Sequence, residues 1–196
     1  MSLFSRILPD SRPDEFDLKY GVRTAGKIPR WRLLFSSLNA VHGVHYQPVG
    51  EQELHGAIDF LNDDLSRFTF IDLGCGKGRA LVIAERYPFR SIIGVEYNRA
   101  LAAEAAQNAR RSQVICADAA GFEFPDDDLV LFLYNPFSAK IMAKVVAKLE
   151  KHRRKFYVLY CNPKCADLFD GFMALGEIAP FFRGWKSLAT VRHPST

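Results

Sequence analysis

Asp72-Leu-Gly-Cys-Gly-Lys-Gly sets an acid and three glycines, Gly74, Gly76 and Gly78, within one short loop. Glycines spaced in this way let the backbone turn tightly and approach a ligand without Cβ collisions. A helix reading onward from Arg79 supplies unpaired N–H groups suited to a carboxylate or a phosphate. The loop is therefore suited to holding a nucleotide-like ligand, and its spacing narrows the choice. A dinucleotide fingerprint of the form G-x-G-x-x-G would need its third glycine where Arg79 stands, but here that glycine falls at Gly78. A P-loop is excluded as well, because no Gly-Lys-Ser/Thr follows at the required spacing.

The elements that must position this loop are legible from hydrophobic pattern. Glu51 to Leu65 reads as an amphipathic helix, with Leu54, Ala57, Ile58, Leu61 and Leu65 at helical spacing. Phe68 to Leu73 is an apolar strand that ends in the glycine loop, and Arg79 to Arg86 is a helix stopped by Pro88. A second strand, Ser91 to Glu96, leads to an alanine-rich helix from Arg99 to Arg110, and a third strand runs from Gln113 to Asp118. Leu129 to Tyr134 is a continuous apolar fourth strand, followed by a helix from Ala139 to Lys151 and a fifth strand from Lys155 to Tyr160. A short helix is expected from Lys164 to Phe169, then two antiparallel-type strands, Met173 to Ile178 and Trp185 to His193. Strands alternating with helices imply βαβ units and an α/β, doubly wound, mostly parallel sheet. Ligands of such a sheet lie at the carboxyl ends of its strands.

At 196 residues the chain is long enough for one ordinary domain, and 48% hydrophobic against 24% charged residues excludes wholesale disorder. Residues 1–50 carry scattered prolines and glycines, with little periodicity. They read as an irregular or helical N-terminal arm or lid and not as an independent domain, with residues 51–196 forming the domain proper. Tyr20 and Arg23 are the arm's candidates for a place near a ligand. No apolar run approaches the roughly 18 residues of a membrane span. Met1 to Pro9 is too short and interrupted for a secretory segment, so a cytoplasmic protein is expected. The net charge of +4 is mild and no nucleic-acid-binding module is visible, which favours a protein or small-molecule partner over nucleic acid. The four cysteines and five histidines fall in no ligand spacing, and no metal is expected.

The ordered set Asp72-x-Gly74-x-Gly76-x-Gly78, Glu96 and Asp118 resembles class I S-adenosylmethionine-dependent methyltransferases over about residues 68–163. The resemblance implies a seven-stranded Rossmann-like sheet and S-adenosyl-L-methionine as cofactor. It also implies that the loop, with Cys75 among its residues, wraps the methionine moiety and ribose. Glu96 would accept both ribose hydroxyls, a bidentate arrangement that neutral side chains match poorly. Asp118 would read the adenine amino group. Tyr97 and Ala119 adjoin these acids, and Tyr46, in Val44-His-Tyr-Gln-Pro48, is placed to close over the cofactor. That last segment also resembles part of some protein-lysine methyltransferase-like chains.

The fourth strand runs into Asn135-Pro136-Phe137, similar to a shortened Asn/Asp-Pro-Pro-Tyr/Phe motif of amino-directed methyltransferases, with one proline in place of two. In those enzymes the Asn oxygen and a backbone carbonyl accept hydrogen bonds from the target amine while the ring packs over it. Asn135, Pro136 and Phe137 are therefore the expected catalytic residues, and Asn135 also adjoins the cofactor. Two alternatives stand beside this reading: a nicotinamide-dependent Rossmann oxidoreductase, disfavoured by the displaced third glycine, and a non-catalytic S-adenosylmethionine binder.

Overall fold

The computed structural model describes residues 12–26, 48–134 and 137–188. Its centre is a seven-stranded sheet in the order β3-β2-β1-β4-β5-β7-β6. The strands are β1 (Phe68–Leu73), β2 (Ser91–Glu96), β3 (Gln113–Cys116), β4 (Asp128–Tyr134), β5 (Phe156–Cys161), β6 (Met173–Ala179) and β7 (Phe182–Lys186). The first five pair in parallel, while β7 runs antiparallel to both β5 and β6. The helices are α1 (Glu15–Tyr20), α2 (Glu51–Asp59), α3 (Arg79–Ala84), α4 (Arg99–Asn108) and α5 (Ala139–Lys151).

Burial on both faces explains why the central strands are unbroken apolar runs. Every residue of β1 and β5 is buried. Alternation sorts the side chains: Phe68 and Phe70 join the core beneath α2 and α3, while Ile71 and Leu73 join the core beneath α5. Asp72 has the parity of Phe68 and Phe70. It lies in register with Gly94 of β2 and Phe132 of β4.

Three elements depart from the sequence expectation. Helix α2 stops at Asp59, not Leu65, because Asn62 takes a left-handed φ of 44° and a separate turn of 3-10 helix covers Leu65–Arg67. The expected helix from Lys164 is a single 3-10 turn, Ala166–Phe169. The last strand begins at Phe182 and ends at Lys186, where Trp185 to His193 was expected. A two-residue turn, Pro180-Phe181, reverses the chain straight out of β6, so pairing starts earlier than the polar pattern suggests. Residues 189–196 lie outside the described residues.

Candidate active site

The chain leaves β1 toward β2 and β3 on one side and enters β4 and β5 on the other, so strand order reverses between β1 and β4. Such a switch point opens a crevice at the carboxyl ends of the strands. Three of the sequence-marked groups meet there, at the ends of β1, β2 and β3.

All three loop glycines adopt left-handed backbone, with φ of 83° at Gly74, 53° at Gly76 and 84° at Gly78. An L side chain would strain each of these positions. At Gly78 a Cβ would also stand 3.1 Å from the Ala105 backbone of α4. The loop is anchored to the neighbouring strand end: Gly74 and Cys75 both donate their N–H to Val95 O, at 2.8 and 3.1 Å. Gly94 makes room for this, since a Cβ there would meet Leu81 Cδ1 at 2.5 Å and Cys75 Sγ at 2.9 Å. The Cys75 side chain thus faces the core. Burial first, then the Asp72 and Glu96 charges, push its thiol well above the ordinary range, so it is no nucleophile.

Glu96 holds the loop in place. Its Oε2 accepts the Gly76 N–H at 2.9 Å, and its Oε1 accepts the Asn98 N–H at 2.8 Å. A carboxylate oxygen has capacity for more than one donor, so both oxygens can still take hydroxyls from a ligand. Burial raises the Glu96 pKa, opposed by hydrogen bonds from the Asn98 and Gly76 backbone. Asp72 is 3% exposed, and its carboxyl makes no hydrogen bond among the described residues. Burial and the nearby Glu96 charge push its pKa well upward. Two buried acids beside an open loop suit a ligand that carries a cation or several hydrogen-bond donors.

The other cofactor candidates sit on the same rim. Asp118 follows β3, exposed, and its Oδ1 accepts the Ala120 N–H at 2.9 Å in a tight turn. Ala119 is buried, and Tyr97 is 39% exposed just after Glu96. Phe137 is half-buried and packs against the α5 side of the core. Tyr46, Asn135 and Pro136 lie outside the described residues.

Sequence reasoning missed the group that fastens the arm. Asp14 caps α1, its Oδ1 accepting Asp17 N–H at 2.9 Å, and left-handed Gly21 ends the helix. Asp17 is buried and accepts from Thr24 N, Thr24 Oγ1 and Ala25 N at 2.8, 2.7 and 3.0 Å. Arg79, first residue of α3, donates from Nε to Thr24 Oγ1 at 2.7 Å, pairs with Asp14 and Asp17, and lies 4.5 Å above the Phe16 ring. Lys77, inside the loop, donates to Ala25 O at 3.3 Å. The Asn108 side chain bridges Lys77 O and the Arg23 backbone. Tyr20 instead donates to Glu51 of α2, whereas Asn108 holds the Arg23 backbone beside the glycine loop. Asp-x-x-Asp before an aromatic and a following Gly were the only local signals. Ser138 was also unmarked: its Oγ is buried without a partner among the described residues, where β4 passes into α5.

Residues 70–155 match a family model described as a methyltransferase domain. Residues 70–155 thus carry a methyltransferase domain. No curated protein sequence matches the chain. Among solved structures, the methyltransferase is similar in fold to a Haemophilus influenzae protein described as a methylase, with TM-score 0.56 and 16% identity over 72% of this chain and 100% of that one. A ribosomal protein L11 methylase from Lactobacillus delbrueckii superposes with TM-score 0.51 and 15% identity, over 70% of this chain and 78% of that one. A Pyrococcus horikoshii protein described as an RNA methyltransferase gives TM-score 0.53 and 15% identity, over 72% and 83%. Among the described residues of the methyltransferase, no helix is long and apolar enough to cross a membrane, and no cluster of side chains could hold a metal ion.

Proposed function

We infer that this methyltransferase binds S-adenosyl-L-methionine on the ends of β1–β3 and methylates a nitrogen acceptor, in a protein side chain or a small molecule. The observation that supports the cofactor assignment best is the pair of buried acids, Asp72 and Glu96, beside a loop whose three glycines are all left-handed. In this reading Glu96 takes the ribose hydroxyls, Asp72 faces a cationic group, Gly74, Cys75, Gly76 and Gly78 present backbone, and Asp118 with Ala119 reads the adenine. Tyr97 and Tyr46 cover the cofactor.

The bound cofactor supplies an electrophilic methyl carbon on a sulfonium. Asn135, with a neighbouring carbonyl, accepts the amine N–H bonds and so aims the nitrogen lone pair at that carbon. With the methyl carbon that the bound cofactor would supply, the acceptor nitrogen would gain the methyl group, the sulfur would keep the bonding pair, and the amine's surplus proton would pass to solvent. Phe137 contributes an apolar wall, which favours a neutral amine over an ammonium. No strong base is needed if the amine arrives neutral.

Asn135→Ala tests the acceptor half. Turnover, followed by transfer of tritiated methyl, should fall by about 100-fold or more, in line with removing a positioning group. Cofactor affinity should stay within about twofold. An equal loss of cofactor affinity would make Asn135 a cofactor contact.

A further inference from the structure

The last paired row of the sheet at its carboxyl edge joins Tyr134 of β4 to Cys161 of β5 and Cys161 to Phe182 of β7. One residue beyond that row stands Phe181, in the turn between β6 and β7. Its φ is 67°, a left-handed conformation that a bulky residue rarely adopts, and its side chain is 68% exposed. The second position of such a turn favours glycine or asparagine. The strain is held by a hydrogen bond from Asn162 N to Phe181 O at 2.9 Å, and Asn162 is itself left-handed, at φ 49°. Among the described residues Phe181 makes no ring contact, so this side chain serves neither the turn nor the core. Strain of this kind gathers where a side chain must be presented to a ligand.

Its surroundings fit an acceptor. Tyr134 directly precedes Asn135, and the Phe181 turn lies two strands along the same edge, on the side away from the cofactor loop. Helix α2 borders it: a Cβ at Gly56 would lie 3.8 Å from Ala179 Cβ, at the base of the turn. Glu53 of that helix acts electrostatically on both Tyr134 and Cys161, which places an acid beside the edge. An exposed aromatic with a carboxylate nearby suits an amine that carries an apolar portion. We propose that Phe181 is an acceptor-binding residue that packs on the apolar portion of the amine substrate beside the methylated nitrogen. This rests on the nitrogen-methylation reading above.

Phe181→Gly and Phe181→Tyr, each in the full chain, test it with methyl-tritiated S-adenosylmethionine as donor and two unlabelled acceptor pools. One is a Glu-C digest of total bacterial protein, whose peptides carry lysine amines. The other is 2-phenylethylamine, a small amine with one ring. The pool that the wild type methylates identifies the source of the amine. On that pool Phe181→Gly should lower the rate at limiting acceptor by about tenfold, the scale of one lost apolar contact. Phe181→Tyr should keep most of the rate. The glycine variant should melt at the same temperature or higher, since it relieves the left-handed strain, and should bind S-adenosylmethionine as the wild type does. A glycine variant with the wild-type rate would overturn the role of Phe181 alone. Wild-type protein that binds cofactor but labels neither pool would overturn the nitrogen reading, and this inference with it.

Discussion

The two halves of the carboxyl edge are built on opposite plans. Over β1, β2 and β3 the loop is braced on several sides, with the Asp72 carboxyl left unpaired among the described residues: Glu96 holds Gly76 and Asn98, the loop holds Val95, Asn108 holds Lys77, and the arm holds Arg79. Over β4, β5 and β7 the described residues include two left-handed non-glycine residues, an exposed Phe181 and a Ser138 hydroxyl without a partner among them. A ligand of fixed chemistry rewards preorganisation, because each donor and acceptor can be set in advance. An acceptor surface instead defines specificity, and here that means side chains presented at a local cost. The contrast teaches which half of such an enzyme its structure can identify most sharply.

Breaking the braced half should have the largest effects. Asp17→Ala removes the buried carboxylate beside Arg79, leaving Asp14 and Thr24 as its partners, and leaves two arm N–H groups unpaired. Thermal or urea unfolding should show a loss of roughly 1–3 kcal/mol for each buried N–H left unpaired. A loss below about 1 kcal/mol would mean that the arm merely rests on α3. Glu96→Ala removes the loop's acceptor together with the proposed ribose contacts. Calorimetry should record cofactor binding weaker by about 2–4 kcal/mol, from charge-assisted hydrogen bonds worth roughly 1.5–3 each less what water recovers. A change under about 0.5 kcal/mol would sink the ribose role.

Asp72→Asn sharpens the contrast with a smaller and opposite effect. The folded protein raises the Asp72 pKa above its ordinary 3.8, so this group favours the fold in acid. That contribution is lost as pH rises through the raised value. At neutral pH the asparagine variant should therefore be more stable without ligand, by roughly 1–3 kcal/mol, the penalty of a buried group left unpaired. The same variant should gain less stability from S-adenosylmethionine than the wild type does. Wild-type cofactor affinity should rise with pH across the window in which Asp72 loses its proton, and the variant should flatten that rise.

Much of the braced half was legible in the chain because its determinants are local. Continuous apolar runs marked the buried strands, and three glycines in five positions marked a backbone that no other residue tolerates cheaply. Glu96 was identifiable by its place at a strand end. The arm was not legible. Helix α1 has six residues, too few for periodicity to register, and its contacts to Arg79 span more than 50 positions of sequence. The β6–β7 turn was hidden for another reason. Phe181 occupies a position where a turn signal would be glycine, so the reversal carried no mark and β7 was placed too late. Ser138 gave no signal at all, since an orphaned hydroxyl is a property of packing.

The most direct test of the cofactor assignment is isothermal titration of the purified protein with S-adenosylmethionine, S-adenosylhomocysteine and NADH in parallel. Micromolar binding of the first two and none of the third is the predicted result. Binding of NADH alone would contradict it, and would show that glycine at position 78 in place of 79 does not discriminate between the two cofactors.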